Sequence, residues 1–185
     1  EGFVNLDEIK SSIKDSTRLI SIMFANNEIG TIEPLREISK IAKEKNILFH
    51  TDAVQAIGNV KFKIDDIGAD MLSLSGHKLG APKGVGLLYI RDGVDLDNFM
   101  DGGEQERGKR ASTENLASIV GLARAMDDAY NNIEENISYT KDLRDYTIEK
   151  LLNIDGIVLN GPRENRLPGN INITLKNTKP QTMVQ

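Results

Sequence analysis

The chain has no cysteine, and that one absence removes three chemistries from residues 1–185. A disulfide framework, a thiolate nucleophile and a cysteine-ligated metal all require the missing thiol. Histidine is almost as scarce: only His50 and His77 occur, and neither stands at metal-ligand spacing from another ligand of that type. Aromatic residues make up 5%, no basic stripe with interleaved rings is visible, and the net charge of −5 comes from interspersed signs. That pattern argues against nucleic acid as a partner. No apolar run approaches the roughly 20 residues of a membrane helix, and no leader-like segment is visible. The reading is therefore a cytoplasmic globular protein with no membrane partner. The acidic stretch 92–101 lacks calcium-loop spacing and reads as a solvated turn.

What is present is an alternation of short apolar runs with amphipathic stretches. Asn5-Leu6-Asp7-Glu8 is a capping pattern that opens a short helix with Leu6, Ile9 and Ile13 on one face. Residues 19–24 read as a buried strand. Pro34 suits the first turn of a helix striped by Leu35, Ile38, Ile41 and Ala42, and residues 47–50 form the next strand. Residues 70–74 and 86–90 add two more, joined through a Pro82-Lys83-Gly84 turn short enough for the last strand to run antiparallel. Such alternation predicts an α/β fold on a mainly parallel sheet. From Glu114 the pattern turns helical, with Leu116, Ile119, Val120, Ala123 and Met126 predicted to share one apolar face. Ile133, Ile137, Ile148 and Leu151 mark a second, longer helix, and Asn131-Asn132 is the break between the two. Residues 156–159 and 171–175 read as strands of a smaller α+β domain. The border falls within the second long helix, separating residues 1–135 from 136–185.

Two strand ends carry the chemistry. One is Phe49-His50-Thr51-Asp52-Ala53-Val54-Gln55; the other is Ser75-Gly76-His77-Lys78, closed by Gly80-Ala81-Pro82-Lys83-Gly84. In open α/β sheets ligands sit beyond the carboxyl ends of strands. A lysine there can condense with an aldehyde as a Schiff-base nucleophile. An aspartate facing it across a planar heterocycle keeps a pyridine nitrogen protonated, which is what pyridoxal phosphate (PLP) requires to accept electrons from the substrate α-carbon. Gln55 is spaced to donate to the cofactor's phenolic oxygen. Alone, each residue reads as a solvated charge or a turn cap. On successive strands, Asp52 and Lys78 together point to PLP.

These residues, with two further blocks, resemble the class V aminotransferase-like PLP enzymes, and within them the cysteine desulfurases of the NifS and IscS kind. The further blocks are Ala25-Asn26-Asn27-Glu28-Ile29-Gly30-Thr31 and the run from Gly102-Gly103-Glu104-Gln105-Glu106-Arg107 to Arg110-Ala111-Ser112-Thr113-Glu114-Asn115. Arg166-Leu167-Pro168-Gly169-Asn170 resembles the family's entry into its smaller domain, so the resemblance spans essentially the whole chain. It implies the PLP-dependent transferase fold of type I: part of the mainly parallel sheet of a large domain, then the start of a small α+β domain. It also implies roles. Lys78 and His77 would stand at the reaction centre, with Lys78 as the covalent anchor, Asp52 on the pyridinium and Gln55 and Asn27 near the phenolic oxygen. Ser75 and His77 would ligate the phosphate. Thr113 would reach the phosphate of a neighbouring subunit's cofactor, implying a homodimer. The family more often has glycine before that threonine, and Ser112 would strain the loop if a positive φ is needed there.

The larger departure is the missing thiol. The resemblance implies conversion of L-cysteine to L-alanine, with persulfide sulfur passed to an iron–sulfur scaffold or another acceptor protein for iron–sulfur cluster assembly. That reaction needs a cysteine these residues lack. The expectation is an internal segment of such an enzyme, inactive alone, with the cysteine loop and the substrate-carboxylate arginine beyond residue 185. Two other readings stay open: another class V PLP enzyme acting on a different amino acid, and a domain that folds or binds a scaffold without cofactor.

Overall fold

The computed structural model describes residues 2–178. Asn5 lies in extended backbone, and its Oδ1 accepts from the amides of Asp7 (2.9 Å) and Glu8 (3.3 Å), which starts helix α1 (Leu6–Ser12). Strands β1 (Leu19–Met23), β2 (Leu48–Asp52) and β3 (Met71–Ser75) pair in parallel, and β4 (Gly86–Ile90) adds antiparallel to β3, in the order β1-β2-β3-β4. Helix α2 (Leu35–Glu44) crosses from β1 to β2, and the one-turn helix α3 (Ile64–Ile67) precedes β3. Between β3 and β4 lie only a 3-10 turn (Gly76–Leu79) and a short loop, too little for a parallel crossover. The strands lie within about two residues of the bounds that the apolar runs predict.

The stripe of α2 is buried as its period requires: Leu35, Ile38, Ile41 and Ala42 all face inward, and Ile38 is fully covered. Ile38 and Leu35 share the core with Ile20, Phe49, Leu72 and Leu74 from the sheet. Each such side chain contributes about 1.5–3 kcal/mol by leaving water. Asp70, itself buried, pins the sheet from its edge of entry. One of its oxygens accepts from the Phe49 amide at 2.8 Å and the other pairs with Arg91 just past β4.

Helix α4 (Leu116–Asn131) and helix α5 (Ile133–Leu152) meet at Asn132, where the sequence places the break. The apolar face predicted for α4 is corrected. Leu116, Ile119, Val120 and Ala123 are exposed and of the predicted face only Met126 packs on the core, whereas Leu122 is buried and Ala125 packs beside it. Gly121 explains the rotation: a Cβ there would sit 3.0 Å from the Pro82 ring, so α4 approaches the β3–β4 connection through its glycine side. Beyond α5, β5 (Ile157–Leu159) and β6 (Ile173–Leu175) form a separate antiparallel ribbon.

Candidate functional site

The parallel register levels the ends of β1 and β2, and β3 runs two residues further, to Ser75. Met23 pairs with Asp52 and Asp52 with Ser73, so the segments that follow β1, β2 and β3 leave the sheet at one edge. These are the segments carrying Asn27, Asp52 to Gln55, and Ser75 to Lys78. Open α/β sheets place ligands at this edge.

Asp52 ends β2 with its backbone held on both sides, since the Phe24 amide donates to its carbonyl (2.8 Å) and the Ala53 amide to the Ser73 carbonyl (2.9 Å). Its Oδ1 accepts from the Val54 amide at 2.9 Å, and the carboxylate is otherwise exposed. Gln55 is half-buried in the turn that follows, with its carbonyl accepting from Asn59 Nδ2 at 3.1 Å. At the end of β3, Ser75 Oγ and His77 Nδ1 lie 2.7 Å apart in hydrogen-bond contact. Gly76 between them is required by packing: a Cβ would meet Val85 Cγ1 at 2.9 Å and the Val85 carbonyl at 3.0 Å. Gly80, at φ +80°, ends the turn.

Lys78 and His77 are exposed on this turn. Lys78 also lines a cleft shared with Asn59, Leu79, Gly121, Arg124 and Asp128, and none of the other expected residues lines it. Thr113 is exposed in the loop leading to Asn115, the N-cap of α4. Just before it, Ser112 has φ +93°, the positive value that the glycine preference anticipates. His50 serves the sheet instead, its ring nitrogens contacting Ser21 Oγ (2.8 Å) and Ser73 Oγ (3.2 Å) on the flanking strands.

The donor set fits PLP on chemical grounds. A strand-end carboxylate suits a pyridinium, an accessible amine suits an aldehyde, and a hydroxyl beside an imidazole in a glycine-closed turn suits a phosphate. Groups further out are electrostatically unusual. Burial pushes the Glu33 carboxyl up, partly opposed by the Val4 amide that donates to it at 3.0 Å. Burial, with Arg144 beside it, pushes the Arg166 guanidinium down.

Sequence reasoning missed part of this edge. Asn170 Nδ2 donates to the carbonyls of Asn27 (3.2 Å) and Glu28 (3.0 Å), and Asn172 Nδ2 donates to Glu28 (3.0 Å). A faint signal existed: two asparagines at a spacing of two share one side of an extended segment.

The model of the family described as aminotransferase class-V matches residues 1–185. A Clostridium botulinum protein named cysteine desulfurase IscS is 51% identical over 187 residues, covering 100% of this chain and 47% of that protein. Among solved structures, a NifS-like protein superposes with a TM-score of 0.92 at 40% identity, covering 98% of this chain and 50% of the other. SspA, solved in complex with cysteine, gives a TM-score of 0.79 at 35% identity over 95% of this chain and 49% of its own. The chain spans about half the length of the curated relatives it matches.

Proposed function

The chain belongs to the aminotransferase class-V family, whose members are PLP-dependent enzymes with a type I fold, and from that membership we propose that the protein carrying it is a cysteine desulfurase. It converts L-cysteine to L-alanine and leaves the sulfur as persulfide on a cysteine outside residues 1–185. An iron–sulfur scaffold or another acceptor protein then takes the sulfur in the cytoplasm. The working unit is a homodimer in which Thr113 serves the partner's site. The observation that carries the reading is the shared carboxyl edge where Asn27, Asp52, Gln55, Ser75, His77 and Lys78 lie at or just after the ends of three adjacent strands. The desulfurase names of the relatives and the cysteine held by SspA support the substrate.

When bound, PLP supplies an electron sink for the pair released at the substrate α-carbon. Asp52 would hold a proton at the ring nitrogen. Lys78 would supply the amine that anchors the cofactor's aldehyde and would carry the proton of the substrate α-carbon. Ser75 and His77 hold the phosphate, their mutual contact keeping the two donors together. Asn27 and Gln55 would donate at the phenolic oxygen, and His77 would stand within the reaction centre. Residues 1–135 then constitute part of the cofactor-binding domain, and 136–185 constitute the connecting helix and the start of the smaller one. The separate β5–β6 ribbon supports that division.

The test is borohydride reduction of the PLP-incubated protein followed by peptide mass analysis. A pyridoxyl label on Lys78, lost in Lys78→Ala, is expected. A label spread over surface lysines, unchanged by that substitution, would refute the assignment. Alanine released from cysteine in the whole subunit tests the substrate.

A further inference from the structure

We propose that Arg166 and Asn170 are positioning residues that set the Asn27 loop toward the cofactor site, an inference that rests on the PLP reading above. The loop closes on itself first. Asn26 Oδ1 accepts from the amides of Glu28 (2.9 Å) and Ile29 (3.0 Å), the Gly30 amide donates to the Asn26 carbonyl (3.0 Å), and the Asn26 amide donates to the Thr31 carbonyl (2.8 Å). The carbonyls of Asn27 and Glu28 take no part in this closure. They accept instead from the side-chain amides of Asn170 and Asn172, far along the chain.

An asparagine amide can present either its oxygen or its nitrogen, and here Arg166 decides which. Arg166 Nη2 donates to Asn170 Oδ1 at 2.9 Å, and Arg166 Nε donates to the Asn170 carbonyl at 2.9 Å. With its oxygen engaged by a cation, Asn170 turns its NH2 to the loop. Arg166 is itself fixed: it is 4% exposed, and Nη1 donates to the carbonyls of Asn160 and Pro162, both at 2.8 Å. Among the described residues its partners are all neutral oxygens. A planar guanidinium with several directed donors can hold such a set, and a lysine's compact ammonium cannot.

Two further observations place the clasp against the loop. The Ile32 amide donates to the Asn165 carbonyl and the Leu167 amide to the Gly30 carbonyl, both at 2.8 Å, so the two segments pair through their backbones. Gly30 also has φ +79°, and a Cβ there would meet Asn170 Oδ1 at 2.6 Å and Arg166 Cγ at 2.9 Å. Asn27 therefore takes its position from residues 160–172 as well as from β1.

The test is a double-mutant cycle in the PLP-loaded protein, read by PLP dissociation constant and by the pH midpoint of the cofactor's visible band, with amide exchange of residues 26–31 measured without cofactor. Asn170→Ala is expected to weaken PLP binding roughly five- to tenfold. It should shift the band in the same direction as Asn27→Ala, add nothing further in the double variant, and speed exchange across the loop. Arg166→Lys, which keeps the charge and loses the fork, should reproduce Asn170→Ala. A full additive effect in the double variant overturns the proposal, and so does faster exchange with an unchanged band and affinity, which marks an anchor without influence on the site. A wild-type protein that takes no PLP sinks both readings; a PLP-loaded wild type with an indifferent Asn170→Ala sinks this one alone.

Discussion

Ser112 holds a backbone angle that side-chain-bearing residues avoid, φ +93°, in a loop where Glu106 and Arg107 also have positive φ. Such a residue stores about 1–3 kcal/mol, and glycine would release that strain while adding about 0.5–1 kcal/mol of chain entropy to the unfolded state. Strain relief outweighs the added entropy, so Ser112→Gly is expected to raise the urea midpoint, a net gain of about 1 kcal/mol. An unchanged or lower midpoint would show the loop unstrained. This strain was legible in the sequence, because the family's glycine at that position implies the angle. The state of Glu33 was not, since it depends on burial that no local pattern announces. An acid whose folded pKa lies above its unfolded one favours the folded state fully below the unfolded value and loses that contribution as pH rises through the folded one. Glu33→Gln keeps an acceptor for the Val4 amide and cannot ionise. Its stability relative to wild type should therefore climb as pH rises above the ordinary glutamate value of about 4.3, and urea midpoints below and above that value would show a flat difference if the acid were not raised.

Elements with a single burial demand read correctly from sequence, and those with competing demands did not. The stripe of α2 has one surface to cover, and all four predicted residues are inside. Ile38→Ala, at a fully covered position, is expected to cost about 2–5 kcal/mol in chemical denaturation; a loss under about 1 kcal/mol would mean that the core collapses around the gap. Helix α4 has apolar residues on more than one side, and periodicity alone could not tell which side the sheet takes. The β3–β4 hairpin rests on a contact that pattern reading also passes over. A Cβ on Gly86 would sit 2.7 Å from the Leu74 carbonyl, backbone against which nothing can yield cheaply. Gly86→Ala should therefore loosen the pairing of Ser75 with residue 86, seen as faster amide exchange at the end of β3 and about 1–3 kcal/mol lost.

At the scale of the molecule, the antiparallel last strand was legible in the short connection through Pro82-Lys83-Gly84, whereas strand order and register came only with the structure. What stayed hidden was long-range: Asn170 and the carbonyl it meets at Asn27 lie 143 positions apart, and no period links them. The sheet has β1 and β4 as its edges, with Leu19, Met23, Leu87 and Leu88 exposed along them. Residues 1–185 expressed alone are thus expected to self-associate with rising concentration in sedimentation velocity, and Leu88→Lys should weaken the association. A concentration-independent monomer would count against it. The clasp on the Asn27 loop has a consequence for variation. Asn170 and Asn172 grip main-chain oxygens, and every amino acid presents the same oxygen at positions 27 and 28. The loop's scaffold and its chemistry are therefore separable: replacing the side chain at position 27 alters what faces the cofactor while the latch on the main-chain oxygens stays shut.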